Sequence, residues 1–384
     1  MKPYIPGNFE SEAMVKMLEE REIWKKGCES FYSWLDQTRE DVLEPQLSII
    51  DSHHHIWDFR DLRGYNLFGI FRQQYYMTDE MIDDFICGGH NITHSVFVST
   101  HAFFKKDPEP EYMAPLGEVQ FVQGIAAQFA SGKYGWKFLG AAAGIVGSAD
   151  LLKYGSEIEP LLIACKNASP NYRGIRCTAS HDATYKSNFH PSPGMYSDQK
   201  FRQGFALLEK HDLLFDAWLF SSQLPDVHDL ALTFPGVTII LNHMGTPLAC
   251  YGSIDGYDST TLTNEEIVTQ WKENLTKIAT ECPNVYVKVG GFGVPYMGHG
   301  FQSRDKPPSS EEVASLFKDM YLWTIQTFGA KRCMFESNFP ADKVSMSYTV
   351  LWNAYKRMTK DAGLSDEDRA CLFSETAKKV YRIV

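Results

Sequence analysis

The chain has 384 residues, of which 44% are hydrophobic and 14% aromatic, and this composition supplies a core and excludes global disorder. Its 37 Lys and Arg residues against 48 Asp and Glu residues give a formal net charge of −11, which argues against a protein that binds nucleic acids or anionic membranes. The longest small-and-apolar run, Phe138–Gly147, is half of the roughly 20 residues that a membrane-spanning helix needs. Eight scattered cysteines without a C-x-x-C motif indicate free thiols in a reducing cytoplasm. We therefore expect a cytoplasmic protein that acts on a small molecule.

Short apolar runs recur along the chain and predict β-strands. Each run is rich in β-branched or aromatic residues, as is typical of the buried strands of a parallel sheet. The eight runs are Leu47–Trp57, Ile92–Phe104, Phe138–Gly147, Tyr172–Ala179, Leu213–Phe220, Val237–Gly245, Val285–Gly293 and Cys333–Pro340.

Helical patterns separate these runs. Apolar residues recur at helical spacing over Phe201–His211 and again over Asn264–Cys282. Ser309 with Glu312 three residues later forms a capping-box sequence, and Gly329 suits the residue that follows a helix. These signals predict a helix between Ser309 and Gly329.

Strands that alternate with helices in this way predict an α/β protein, and more narrowly a (β/α)₈ TIM-type barrel over residues 47–384. A doubly wound open sheet is the structural alternative, although no G-x-G-x-x-G sequence follows the first strand to mark its dinucleotide-binding form. Residues 1–46 are rich in Glu, Lys, Trp and Leu and predict a helical N-terminal extension. This extension packs either across the outside of the barrel or against a second copy of the chain, as in a homo-oligomer.

Three consecutive histidines end the first apolar run. Because side chains alternate along a strand, His53 and His55 share one face while His54 points to the other. Two imidazoles on one face can chelate a single divalent cation, with nitrogen ligands at roughly 2.0–2.1 Å for zinc. The active site of a barrel lies at these strand ends. The triplet therefore predicts a functional site, with a metal as one reading.

Polar residues also end the fifth, sixth and eighth runs. His243 is a candidate ligand or base, and Asp216 is a carboxylate among apolar residues that requires a specific partner if it is buried. Trp218 is a candidate substrate contact at the end of the same run as Asp216. Glu336 and Asn338 share a face, and an interior Glu336 requires a partner such as an arginine or a first-strand histidine.

Several basic residues are candidates for substrate binding. Arg176 and Arg173 offer guanidinium forks that suit a carboxylate. Arg176 is the better candidate, and Arg173 is either such a contact or a structural residue at the solvent end of the same strand. His101 lies near the end of the second run and His181 follows the fourth, and each is interpreted as a substrate contact or as a structural residue. Arg72 lies in an aromatic-rich loop after the first strand and could bind an anion, unless that loop is only a packed surface segment.

These residues resemble the amidohydrolase superfamily, and more narrowly its lactonase branch, which includes pyrone-dicarboxylate lactonase and sugar-acid lactonases. The resemblance begins near Ser48 and does not cover the first 46 residues. It rests on Asp51–Asp58 (DSHHHIWD), Arg173–Arg176 (RGIR), Phe215–Trp218 (FDAW), Asn242–Gly245 (NHMG) and Arg332–Pro340 (RCMFESNFP).

The resemblance implies a distorted (β/α)₈ barrel in which His53, His55 and His243 bind a metal or polarise a substrate carbonyl. An aspartate of the eighth strand normally activates the attacking water in this family. Asn338 stands at the matching position and has no basic carboxylate, so Glu336 or Asp342 would have to replace it. Lactonases of this branch also include metal-independent enzymes, and the cofactor is either one divalent metal such as zinc or none.

The leading hypothesis is a hydrolase that opens a lactone or related cyclic ester of a carboxylate-bearing or aromatic compound. His53, His55 and His243 would polarise the carbonyl, Asp216 or Glu336 would activate water, and metal could assist. A decarboxylase of aromatic acids on the same barrel is the second hypothesis, since it needs no attacking water. A ligand-binding barrel without catalysis is the third.

Overall fold

The structure of the protein is a computed structural model that describes residues 29–59, 73–135, 138–185, 189, 192–257 and 262–384. Ten β-strands lie in these residues. They are β1 (Ser48–His54), β2 (Trp57–Asp58), β3 (Tyr75–Tyr76), β4 (Asn91–Val98), β5 (Gly140–Ser148), β6 (Tyr172–Thr178), β7 (Leu214–Trp218), β8 (Ile239–Leu241), β9 (Val285–Val289) and β10 (Cys333–Phe335).

Eight of these strands form one parallel sheet in the order β1-β4-β5-β6-β7-β8-β9-β10, and each predicted apolar run supplies one of them. Strands β2 and β3 pair separately as an antiparallel ribbon. The predicted (β/α)₈ barrel is confirmed. A parallel sheet with helices between successive strands buries both faces, which explains why the strands read as continuous apolar runs.

Helices connect the strands on the outside of the sheet. The described part of the first, α1, spans 29–35, and both α2 and α11 continue directly into π-helical turns, Ile82–Cys87 and Cys371–Glu375. The others are α2 (Thr78–Met81), α3 (Leu116–Ala130), α4 (Leu151–Tyr154), α5 (Glu159–Ala168), α6 (Gln199–Lys210), α7 (Leu224–Thr233), α8 (Asn264–Glu281), α9 (Ser310–Phe328), α10 (Tyr348–Asp361), α11 (Asp366–Ala370) and α12 (Thr376–Val380).

The helix signals of the sequence are confirmed at α6, α8 and α9. Ser309 caps α9 through the backbone N–H of Glu312, and the Glu312 carboxylate accepts from the Ser309 N–H at 2.9 Å. Gly329 follows the helix at a φ of 79°, a conformation that glycine adopts without strain. Local capping chemistry therefore sets both ends of this helix.

Side chains from the inner face of the sheet fill the barrel below its mouth. Ile50, Val96 and Ile240 belong to this inner cluster, and Tyr381 joins it from the C-terminal segment that follows α12. The C-terminal segment thereby plugs the lower end of the barrel. Tyr381 is fully buried, so its hydroxyl group reaches the interior from outside the sheet.

The first and last strands are joined mainly through residues just beyond β10. The backbone N–H of Asn338 donates to the His53 carbonyl at 2.8 Å, and that of His55 donates to the Phe339 carbonyl at 2.7 Å. Below them, the backbone N–H of Ser337 donates to the Asp51 carboxylate at 2.9 Å. The seam that closes the barrel therefore brings the ends of the first and eighth predicted runs together.

Residues 29–47 contact the outside of the barrel. The Trp34 indole donates to the Arg304 carbonyl at 2.9 Å, and Thr38 donates to the Pro307 carbonyl at 2.8 Å. Glu44 pairs with Arg369 at 2.8 Å. The division of the chain into an extension of 46 residues and a barrel stays a prediction, and residues 1–28 lie outside the described part.

Within the described residues, the structure contains no helix with the length and apolarity needed to cross a membrane.

Candidate active site

A cavity of about 190 Å³ lies at the carboxyl ends of the barrel strands. Its wall includes residues that end or directly follow β1, β4, β6, β7, β8 and β10, the face at which barrel enzymes bind substrates. The sequence-predicted site residues in this wall are His55, His101, Arg176, Trp218, His243 and Asn338. Six dispersed positions of the sequence therefore meet at one cavity.

The three predicted histidines lie together. The ring of His53 is 4.8 Å from that of His55 and 4.8 Å from that of His243, measured between centroids. His54 points to the opposite side of β1, where its Nε2 lies 2.9 Å from the Ser95 hydroxyl group. The alternation predicted for the histidine triplet is confirmed.

Glu336 joins two of these histidines from below. Its Oε1 lies 2.7 Å from Nδ1 of His243 and also accepts the His243 backbone N–H at 3.2 Å. Its Oε2 lies 2.8 Å from Nδ1 of His53, and both side chains are completely buried. The predicted histidine partner of Glu336 is confirmed. Because a carboxylate only accepts, Nδ1 of His243 carries the proton toward Glu336 and Nε2 is left as its basic nitrogen.

The donor set of this cluster fits a divalent cation. Ligand atoms of His53, His243 and Glu336 lie within 4.8 Å of one another, and two imidazoles with one carboxylate form a known catalytic zinc set. Oε2 of Glu336 is buried and takes no hydrogen bond from the described residues, despite its short contact with His53. His55, which the sequence also suggested as a ligand, instead directs Nδ1 to the Val98 carbonyl at 2.8 Å.

Burial keeps the imidazoles of His53 and His55 neutral. It lowers the pKa of His53 well below the usual histidine value, and the positive charge of Lys288 lowers this pKa further. Burial also lowers the pKa of His55, and the positive charge of Arg176 lowers it further. Neutral imidazoles can accept a proton or bind a cation, whereas imidazolium ions can do neither.

Arg176 places a cation in the wall of the cavity. Its Nη2 donates to the Ser99 carbonyl, its Nη1 lies 3.4 Å from Nε2 of His53, and its guanidinium lies 5.3 Å from the Trp218 ring centroid. Burial lowers the pKa of Arg176 to about 10, so the group stays charged at neutral pH. Arg173, on the same strand, donates to the carbonyls of Pro170 and Tyr381 and lies away from the cavity wall.

Asp216 has the specific partner that its burial requires. Its Oδ2 accepts from the Lys288 ammonium at 2.6 Å and from the Asn242 amide at 2.9 Å, and the Tyr381 hydroxyl group donates to Oδ1 at 2.9 Å. Asp216 is not among the described residues that line the cavity. This carboxylate therefore lies in a buried network beneath the site.

Asn338 reaches the cavity in an unusual backbone conformation. Its φ is 53°, in the left-handed region that few residues other than glycine adopt. The Asn338 amide donates to Asp342 at 2.8 Å, and Asp342 also accepts the Gly293 N–H at 2.8 Å. Asp342 is fully buried and its pKa is raised well above the usual value by that burial.

One predicted substrate contact has another placement, and a second is not described. The backbone N–H of His181 donates to the Gln223 side chain at 2.8 Å, and His181 is absent from the described cavity wall. Arg72 lies outside the described residues, so its predicted role is untested.

Sequence reasoning missed Lys288 and Tyr381. A lysine inside the apolar run Val285–Val289 is a signal of a buried charge, but Tyr381 gives no comparable signal.

Residues 50–383, which include every element of this site, match the family model described as Amidohydrolase. The chain belongs to the amidohydrolase family. An uncharacterized protein of Sinorhizobium fredii is 30% identical over 346 residues, which cover 88% of this chain and 99% of that protein. The L-fucono-1,5-lactonase of Burkholderia multivorans is 24% identical over 187 residues, or 48% of this chain and 57% of the lactonase. An amidohydrolase structure from Burkholderia multivorans with bound zinc has a TM-score of 0.64 at 20% identity, and the match covers 88% and 99% of the two chains.

Family membership confirms the resemblance stated from the sequence, and this amidohydrolase is a hydrolytic enzyme. The similarity to the zinc-bound structure extends over nearly that whole chain and supports the fold alone. The lactonase match covers about half of each protein. Substrate and metal must therefore be argued from the amidohydrolase's own residues.

In this amidohydrolase, Glu118 of α3 holds the loop that carries His101. The buried carboxylate accepts from the Ser99 hydroxyl group and from the backbone N–H groups of Thr100 and Ala102, at 3.3 and 3.1 Å respectively. We expect Glu118→Gln to lower the free energy of unfolding by about 1–3 kcal/mol, because an amide nitrogen would face buried donors. The same variant should raise KM through the displaced loop.

Urea unfolding and steady-state kinetics measure these two effects of Glu118→Gln. Glu281→Gln is the matched control, since Glu281 is an exposed carboxylate at the end of α8. An unfolding midpoint and KM equal to those of the wild type in Glu118→Gln would show that the carboxylate does not hold the loop.

Proposed function

We propose that the protein hydrolyses a lactone or related cyclic ester that carries a carboxylate or an aromatic group. The observation that carries this proposal is the Glu336 carboxylate shared by His53 and His243, directly below a cavity whose wall contains Arg176. This arrangement combines a proton acceptor with a fixed positive charge. Hydrolysis of an anionic ester uses both, because a proton leaves the attacking water and a carboxylate of the substrate pairs with the positive charge.

His243 and Glu336 have different roles in the proposed reaction. Water adds to the carbonyl carbon, the ring C–O bond breaks, and the proton lost by the water ends on the leaving oxygen. His243 lines the cavity, and Glu336 fixes its Nδ1, so Nε2 is the nitrogen available to move this proton. Glu336 itself is fully buried and outside the described cavity wall, which favours its action through His243 over direct contact with water.

Arg176 supports the choice of an anionic substrate. It is charged at neutral pH, and its guanidinium lies against Trp218 in the wall. A carboxylate of the substrate would gain a charge-assisted hydrogen bond there. The net charge of −11 does not oppose this binding, because the local charge at the cavity comes from Arg176.

His53, His243 and Glu336 would hold the metal if the enzyme uses one, and zinc suits two imidazoles with a carboxylate. A divalent cation at that position would supply Lewis-acid polarisation of the substrate carbonyl and a lower pKa for bound water. His243 is then a ligand instead of a base. Metal analysis of protein purified without added metal distinguishes these two assignments.

We expect wild-type protein to release protons from at least one compound in a panel of sugar-acid and carboxylated lactones. His243→Ala should lower kcat/KM on that compound by about 10²–10³-fold, since general acid–base groups contribute factors of this size. His228→Ala is the control, because His228 is on the surface and pairs with Glu281 at 2.9 Å. Equal rates for wild type and His243→Ala would contradict the assignment of the site.

A further inference from the structure

A second, larger cavity borders the active-site cavity. It has a volume of about 550 Å³, and His101, Thr178 and Phe189 line both spaces. The active-site cavity alone, at about 190 Å³, is smaller than the range of roughly 300–1,000 Å³ that is typical of small-molecule sites. Among the described residues, the two cavities together bring the site into that range.

The wall of the second cavity is predominantly apolar and aromatic. Phe104, Tyr112 and Tyr154 contribute rings, and Leu152 and Met195 contribute aliphatic surface. The rings of Tyr112 and Tyr154 meet edge to face with centroids 5.6 Å apart. Aromatic walls of this kind favour a flat apolar group, which gains both buried area and ring contacts.

Two of the three charged side chains described in this cavity are paired with each other, and the third caps a helix. Lys153 forms an ion pair with Glu111 at 2.7 Å, and the Tyr154 hydroxyl group donates to the same carboxylate at 2.8 Å. Asp150 caps α4 by accepting the Lys153 backbone N–H at 2.8 Å. An anionic ligand would have to displace Glu111 from Lys153 and would face the Asp150 carboxylate, whereas an uncharged ligand would leave these contacts intact. The second cavity therefore favours a neutral group over an anionic one.

His101 forms a fixed border between the two cavities. Its φ is 67°, a conformation that costs free energy for a residue other than glycine. The imidazole stacks on Phe104 with centroids 4.6 Å apart, and its Nε2 lies 3.1 Å from the Ser148 hydroxyl group. These contacts hold the ring where both spaces meet. A substrate that occupies both cavities would pass beside it.

We propose that the substrate spans both cavities, with its scissile carbonyl near Arg176 and His243 and an uncharged aryl group in the second cavity. This inference rests on the proposed function and narrows its substrate to aryl-substituted lactones or esters. A polyhydroxylated sugar lactone fits the second cavity poorly, because its hydroxyl groups would lose water against aromatic walls.

Kinetics on matched five-membered lactones that carry a methyl, cyclohexyl or phenyl group at the same ring carbon test the inference. We expect kcat/KM for the phenyl lactone to exceed that for the methyl lactone by at least about tenfold, given the apolar area of the ring. Ala114→Trp fills the second cavity and should bring this ratio to about 1. Ala362→Trp, at the exposed end of α10, is the matched control and should retain the wild-type ratio.

Binding of the corresponding phenyl and methyl lactams, measured by titration calorimetry, gives a readout that does not require turnover. We expect the phenyl lactam to bind at least about tenfold more tightly to the wild type and to lose this advantage in Ala114→Trp. Hydrolysis of methyl and phenyl lactones at equal kcat/KM would overturn the inference and leave the proposed function intact. If no lactone of this set or of the sugar-acid and carboxylated panel is hydrolysed, the proposed function fails, and equal affinity for the two lactams would then overturn the inference separately.

Discussion

Replacing Glu336 by glutamine is expected to lower kcat by about 10⁴-fold, the size of effect seen when a catalytic histidine loses its orienting carboxylate. The carboxylate contacts Nδ1 of both His53 and His243, at 2.8 and 2.7 Å, so one substitution disturbs two imidazoles. Glutamine has nearly the same volume, but it offers one acceptor and one donor where two acceptors stood. At least one of the two histidines must then change its tautomer or its orientation.

Two measurements separate the roles of Glu336. Steady-state kinetics report the loss of kcat, and elemental analysis reports whether Glu336→Gln also loses a bound metal that the wild type retains. Glu367→Gln is the matched control, because Glu367 lies on the surface in a pair with Lys331 and both side chains are 75% exposed. Thermal unfolding near the wild-type temperature would show that the variant is folded. Activity within tenfold of the wild type would contradict the central position of Glu336.

The sequence predicts the barrel strands well and their ends less well. The run Val237–Gly245 contains a strand of only three residues, Ile239–Leu241, and the run Cys333–Pro340 contains only Cys333–Phe335. The residues that follow β8 have left the sheet, whereas Asn338 and Phe339 beyond β10 still bond to β1 outside a regular strand. His243 and Asn338 have φ values of 52° and 53°, in the left-handed region. Hydrophobicity along the chain does not record this change of backbone, because the segment stays buried.

The histidine cluster was partly predictable for a local reason. Side chains alternate along a strand, so the two-residue spacing of His53 and His55 places them on one face, and this spacing can be read from the sequence. Their contacts with Glu336 depend on closure of the barrel between its first and last strands.

Asp216 shows the limit of sequence reasoning most clearly. Burial predicted that it needs a partner, yet the partner Lys288 lies 72 residues away, and Tyr381 reaches it from the C-terminal segment.

The pair formed by Asp216 and Lys288 leads to the largest expected effect on stability. Both side chains are completely buried and their charged atoms lie 2.6 Å apart. We expect Lys288→Met to lower the free energy of unfolding by about 3–5 kcal/mol, because it leaves a buried carboxylate without its counter-charge. Urea unfolding measures this loss. Lys331→Met is the control, and removal of that exposed lysine should change stability by less than about 1 kcal/mol.

A double variant tests whether the loss arises from the unpaired charge. Lys288→Met combined with Asp216→Asn removes both charges and keeps one carbonyl oxygen as an acceptor for Tyr381 and Asn242. Replacing a buried ion pair by neutral groups is far less destabilising than removing one partner. The double variant should therefore be more stable than Lys288→Met alone, with a coupling energy of about 0.5–3 kcal/mol between the two sites. Asp216→Asn is also measured alone. If the stability losses of Lys288→Met and Asp216→Asn simply add in the double variant, the destabilisation comes from lost packing, and the ion pair does not hold Asp216 and Tyr381 beneath His53.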